Sequence, residues 1–118
     1  MFVFGTLLDS RVRARVLGRP ERPRETAPAL LSGCERVWAR GRRYPVLIRD
    51  PDGAVDGILL TRLSARDRAR LGAYEGAEYR LARVRVEALG ERAKRVWARA
   101  FMARTLGATR RPWMPFAR

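Results

Sequence analysis

Apolar positions open the chain in a short run, FVFGTLL over residues 2–8, whose aromatic and β-branched members predict a buried strand ending near Gly5. Asp9 and Ser10 can cap a short surface helix, because Val12, Val16 and Leu17 recur at helical spacing before Gly18 stops the turn. Residues 19–28, RPERPRETAP, hold prolines among charges and read as an extended connector. Apolar residues predominate again from Ala29 to Arg40 and from Tyr44 to Asp50, predicting two strands separated by GRR at 41–43. Pro51, Asp52 and Gly53 signal a turn, and Val55, Ile58, Leu59 and Leu60 carry the next strand, so a hairpin is expected over residues 44–62.

The second half is read the same way. Ser64 followed by Asp67 is a capping-box start for a helix over 64–75, with Leu63, Leu71 and Tyr74 at spacings that suit one apolar face. Gly76 is placed to end that helix in a left-handed cap. Residues 79–89 then alternate, with Leu81, Val84 and Val86 against Arg80, Arg83 and Arg85, which predicts a half-buried strand. Residues 95–102 repeat the pattern, and the tail with Pro112 and Pro115 around Trp113 reads as irregular. The sum is an α+β fold: a small mixed β-barrel of five to six strands with one or two flanking helices, since that many short strands favour closure over exposed edges. At 118 residues, one domain over 1–118 is expected.

Composition narrows the chemistry. The chain has one cysteine and no histidine. An internal disulfide and a cysteine metal cage are therefore excluded, Cys34 reads as a small buried apolar residue, and the usual general base and metal ligand are missing. Proton transfer near neutrality falls to a carboxylate, a tyrosine or Lys94. No apolar run approaches the roughly 20 residues needed to span a bilayer, and residues 1–10 lack a basic leader, so no membrane partner and a cytoplasmic location are expected. The net charge of +14 invites a nucleic-acid partner. Against it, the arginines are scattered along the sequence instead of forming a block, so the charge is read as a generally basic surface that can favour anionic small substrates. Nothing in the sequence reads out an oligomeric state.

Three features could carry chemistry. Glu75 falls in the last turn of the 64–75 helix, where unpaired carbonyls disfavour a carboxylate and raise its pKa, more so if the helix helps bury it. A carboxyl poised nearer neutrality can shuttle protons; the alternative is a solvated glutamate paired with Arg80. In GTLLDS, Gly5 permits close backbone approach, and the amides of Thr6, Leu7 and Leu8 near a helix start can hold a carboxylate; the alternative is an ordinary strand end. Tyr44 and Pro45 are either a rigid pocket wall or plain packing.

Two segments taken together weight these choices. FVFGTLL resembles the F-V-Y-G-T-L opening of γ-glutamylcyclotransferase-like proteins, and AYEGAEYR, ending in Tyr79 and Arg80, resembles their D-x-Y-E-G…Y-x-R segment. RGRRYPVLIRDPDGAVDGILLTRL between them is similar to the family's R-x-x-Y-P strand, hairpin turn and V-x-G strand, so the resemblance runs from Phe2 to about Val86. It implies that Glu75 is the general acid/base, and that Phe4, Gly5, Thr6, Leu7, Tyr44, Pro45 and Tyr79 line the substrate pocket, with Gly5, Thr6 and Leu7 at its anion-binding part. It implies a reaction in which the α-amine of a γ-glutamyl group attacks its own side-chain carbonyl, releasing 5-oxoproline and an amine or amino acid, with no metal or organic cofactor. Two positions depart from the family: Phe4 stands where tyrosine is common, and Gly72 replaces an aspartate often found three residues before the glutamate. The competing expectation is a non-catalytic module of the same fold that holds an anionic ligand or nucleic acid on its basic surface.

Overall fold

The computed structural model describes residues 1–39, 45–76, 79–90, 94–103 and 108–112. The elements are β1 (Phe2–Val3), a 3₁₀ turn (Thr6–Leu8), α1 (Ser10–Leu17), β2 (Thr26–Ala39), β3 (Pro45–Leu60), α2 (Ala65–Glu75), β4 (Tyr79–Ala88), β5 (Lys94–Ala103) and β6 (Ala108–Pro112). The strands order as β1-β3-β2-β4-β5, with β6 against β2. The α+β class, the strand number and both helices match expectation. "Barrel" fits only loosely, because the sheet stays open, and every ladder among the described residues is antiparallel, so the sheet is not mixed.

The expected hairpin over 44–62 is a different hairpin. β3 does not reverse at Pro51–Gly53 but runs on to Leu60, paired with β2 from Trp38↔Pro45 to Thr26↔Leu60. The turn signal was real chemistry used differently: the Asp52 amide donates to Asp50 Oδ1 at 3.0 Å, and the ladder slips between Ser32 and Cys34, so residues 50–53 bulge out opposite Gly33. Such a bulge bends a long strand without ending it. Gly33, with φ 85°, takes the left-handed backbone that this slip requires. Cys34 is half-buried beside it, and burial pushes its thiol pKa up. β6 is a strand that the proline content of the tail concealed; Trp113 and Pro115 lie outside the described residues.

Two apolar clusters sit on opposite faces of the sheet. One joins Phe2, Phe4, Ala29, Leu31, Val55, Leu59, Val86 and Ala100 inside its curve, drawing on the inward-facing positions of β4 and β5. The other seats the helices, with Leu17 of α1 and Leu71 of α2 against Val3, Leu7, Leu60 and Phe101. Leu71 is fully buried, whereas Tyr74, expected on the same face, is 44% exposed and turned away from this core. β1 approaches β3 so closely that a Cβ on Gly57 would lie 2.4 Å from the Val3 carbonyl oxygen, which only glycine allows. None of the described helices is long and apolar enough to cross a membrane.

Both helices are capped as the sequence predicts. Asp9 accepts the Arg11 amide at 2.8 Å, and Gly18 closes α1 at φ 69°. Ser64 and Asp67 complete a reciprocal capping box, each bond 3.0 Å. Gly76 ends α2 at φ 83°, ψ −178°, outside the left-handed helical region expected for it but still backbone that glycine alone adopts readily.

Candidate active site

A cavity of about 280 Å³ opens where the two apolar clusters meet. Phe4, Gly5, Thr6, Leu7, Pro45, Glu75 and Tyr79 all line it, so residues separated by up to 75 positions share one pocket. Tyr44 lies outside the described residues. Phe2, Val3, Tyr74 and Phe101 line it as well.

One wall is the turn that follows β1. Gly5 packs against Pro45 at the start of β3, and a Cβ there would meet the proline ring at 3.0 Å. The Leu8 amide donates to the Gly5 carbonyl at 2.9 Å and the Asp9 amide to Thr6 at 3.2 Å, closing the 3₁₀ turn. Leu8 is therefore spent as an anion donor, contrary to expectation. The Thr6 and Leu7 amides, ahead of the first bond of the turn, have no acceptor among the described residues.

Two buried guanidiniums hold this wall from behind. Arg13 of α1 donates through Nη1 to the carbonyls of Leu7 and Leu8, at 2.8 and 2.9 Å, and through Nη2 to Glu21 at 2.6 Å. Arg36 of β2 donates through Nη1 to the Phe4 and Asp56 carbonyls, both 2.9 Å, and through Nη2 to Asp56 Oδ1 at 3.0 Å. Cations on these carbonyls polarise the peptide units that carry the Gly5, Leu8 and Asp9 amides, and they fix the shape of the turn. Sequence reading missed both arginines, because a basic residue on a helix or strand carries no mark of burial in the sequence.

The opposing wall is the end of α2. Thr6 Oγ1 and the Tyr74 hydroxyl are 2.7 Å apart, a hydrogen bond that clips the turn to the helix. Glu75, the next residue, is half-buried, and burial pushes its carboxyl pKa up to about 7. Among the described residues no cation pairs with it, Arg80 included. The terminal carbonyls of α2 act in the same direction as burial. Phe4 contributes no hydroxyl; its ring stacks on Phe2 with centroids 6.2 Å apart, part of the inner core.

A family model described as "Gamma-glutamyl cyclotransferase, AIG2-like" matches residues 1–115. The chain belongs to this family. Within the AIG2-like family it is 33% identical over 87 residues to Protein AIG2 C of Arabidopsis thaliana, covering 74% of this chain and 50% of that one. It is 33% identical over 79 residues to AIG2-like protein A of the same plant, covering 67% and 46%. The chain thus spans about half the length of the curated AIG2 relatives it matches. Among solved structures, a solution structure of an Arabidopsis thaliana protein superposes with a TM-score of 0.72 at 26% identity, over 86% of this chain and 66% of that one. A structure named gamma-glutamyl cyclotransferase gives 0.62 at 14% identity, over 91% and 67%, and shows a shared fold.

Proposed function

We propose that the protein is a cofactor-free cyclotransferase acting on a γ-glutamyl amine or amide, with Glu75 as the single acid/base. The observation that carries this reading is a carboxyl that pairs with no cation among the described residues, its pKa raised to about 7, in the same cavity as a turn whose Thr6 and Leu7 amides find no acceptor among those residues. In the reaction the substrate's α-carboxylate sits on the Thr6 and Leu7 amides, and its γ-carbonyl folds back toward its own α-amine. Ring closure is intramolecular, so holding that folded shape supplies much of the rate. Glu75 takes a proton from the α-ammonium, and the freed nitrogen pair forms the new C–N bond of the five-membered ring. The old C–N bond then breaks as the carbonyl re-forms, its electron pair leaving with the departing nitrogen, which receives the first proton from Glu75; the ring nitrogen's surplus proton then passes to the regenerated carboxylate and from it to solvent. A carboxyl half-ionised at neutral pH can serve both transfers.

Phe2, Phe4, Pro45 and Phe101 give the rest of the pocket an apolar character that keeps water from the folded glutamyl chain. The test is to incubate the purified protein with a panel of γ-glutamyl amines and measure 5-oxoproline. Release from at least one substrate, lost in Glu75→Gln while the fold persists by circular dichroism, is the expected result. An unchanged rate in that variant refutes the role given to Glu75, and no release from any member of the panel refutes the reaction.

A further inference from the structure

The arginines that lie scattered in the sequence converge in space on a second concavity, of about 430 Å³, which shares no lining residue with the first. It lies between the outer face of β4–β5 and the loop and first turns of α2. Arg83, Trp97 and Arg99 line it from the strands, and Arg62 and Arg68 from the opposite rim. The strand register puts Arg83 directly across from Arg99, and Arg85 across from Trp97. Like charges facing each other across a ladder destabilise it. None of the ion pairs among the described residues reaches any of these five arginines, although Arg68 donates to the Leu63 carbonyl at 2.8 Å.

An aromatic ring stands in the middle of this charge. Trp97 is 60% exposed, and the guanidiniums of Arg83 and Arg85 lie 4.7 and 5.7 Å from its ring centroid. The two guanidiniums are held beside the indole, so a base that takes the ring face moves them onto its own flanking phosphates instead of leaving them unpaired. We propose that this face binds single-stranded nucleic acid, the backbone phosphates tracking the arginines and an unpaired base stacking on Trp97. Exposed aromatics within a cationic groove suit unstacked bases, which a duplex does not offer. An acidic peptide would use the charge and leave the indole without a purpose.

The test uses the intact protein and a fluorescein-labelled oligouridine of about ten nucleotides, within the footprint of such sites. Anisotropy is read at several salt concentrations. Affinity is expected to fall with salt, each phosphate contact contributing about 0.7 to the log–log slope. Trp97→Ala should weaken binding about tenfold, with Trp97→Phe restoring most of it, since one stacked base contributes on that order. Arg83→Ala/Arg99→Ala should flatten the salt slope by about 1.4, the share of two contacts. The charge-matched control is Arg11→Ala/Arg15→Ala on the exposed side of α1, which should leave the slope unchanged.

Several results would overturn the proposal. Equal losses in the two double variants would mean general basicity rather than a groove. Equally tight binding of a duplex of the same length, or no effect of Trp97→Ala, would remove the stacking. Absence of oligouridine binding beside tight binding to phosphatidylserine vesicles would point to a membrane surface instead.

Discussion

The two ends of α2 treat a carboxylate in opposite ways. At the first turn, Asp67 is buried but accepts the Ser64 amide and both Nε and Nη2 of Arg19, at 3.3 and 2.9 Å. Arg19 also donates to buried Glu25, whose other oxygen takes the Arg22 amide at 3.0 Å. The Arg19 guanidinium holds both carboxyls below the usual carboxylate range. At the last turn, Glu75 loses water and gains no cation among the described residues, and its pKa rises. One end is compensated and ties the connector to the helix; the other carries an uncompensated charge beside a cavity. Within eleven residues of helix the difference separates a carboxylate used for stability from one whose raised pKa the proposed reaction would use.

The largest expected break in this contrast is Glu75→Gln. It should lower 5-oxoproline release by about a hundredfold or more, the usual loss when general acid/base catalysis is removed. The same variant should not be less stable than wild type in a denaturant titration. Asp67→Asn should do the reverse, destabilising the fold by ~3 kcal/mol because it strips one partner from a buried ionic network. Turnover per folded molecule should remain close to wild type, measured at a temperature where the variant is native.

The next contrast is in pH. Glu75 has a folded pKa of about 7 against 4.5, so the fold binds its proton more tightly than the unfolded chain does. Its contribution to stability is full at low pH, declines between about 4.5 and 7, and is flat above; Glu75→Gln should abolish that decline. Asp67 and Glu25 have depressed pKa values, so their contribution is present above the unfolded value near pH 4 and lost as pH falls below it. Activity against pH should rise with an apparent pKa near 7, read from kcat/KM. The smallest effect is expected from Gly72→Ala, midway along the helix where a Cβ meets nothing within 4 Å. It should stabilise the protein by about 0.5–1 kcal/mol without moving the pKa of the rate profile. A moved pKa would mean that helix rigidity, and not burial of the carboxyl, sets the value.

Much of this was legible in the chain. The caps at Asp9, Ser64 and Gly18 are local chemistry, and local chemistry survives folding; Gly76 ends its helix too, but not in the left-handed form expected. Glu75 could be placed at a helix end by the start signal eleven residues earlier, but only the resemblance of AYEGAEYR to the family segment singled it out. The two faces of α2 were less legible: Tyr74 fits the apolar spacing, yet its hydroxyl is drawn to Thr6. Pro51–Asp52–Gly53 shows the limit most clearly, since the same residues make either a reversal or a bulge, and only the partner strand decides. Arg13 and Arg36 were invisible for a related reason: a buried guanidinium is recognised by the carbonyls it finds, and those belong to Phe4, Leu7 and Leu8. The groove around Trp97 likewise exists only through the register of β4 on β5.

Arg36 reaches the Phe4 carbonyl across 32 positions of sequence, and Thr6 meets Tyr74 across 68. The turn can form early as a local loop, but it acquires its final shape only after the central hairpin and the second helix have docked onto it. Small-molecule occupancy of the first cavity would then act as a completion gauge: a half-assembled chain has no place to hold the molecule, so added substrate would slow global unfolding while leaving the early collapse of the chain untouched.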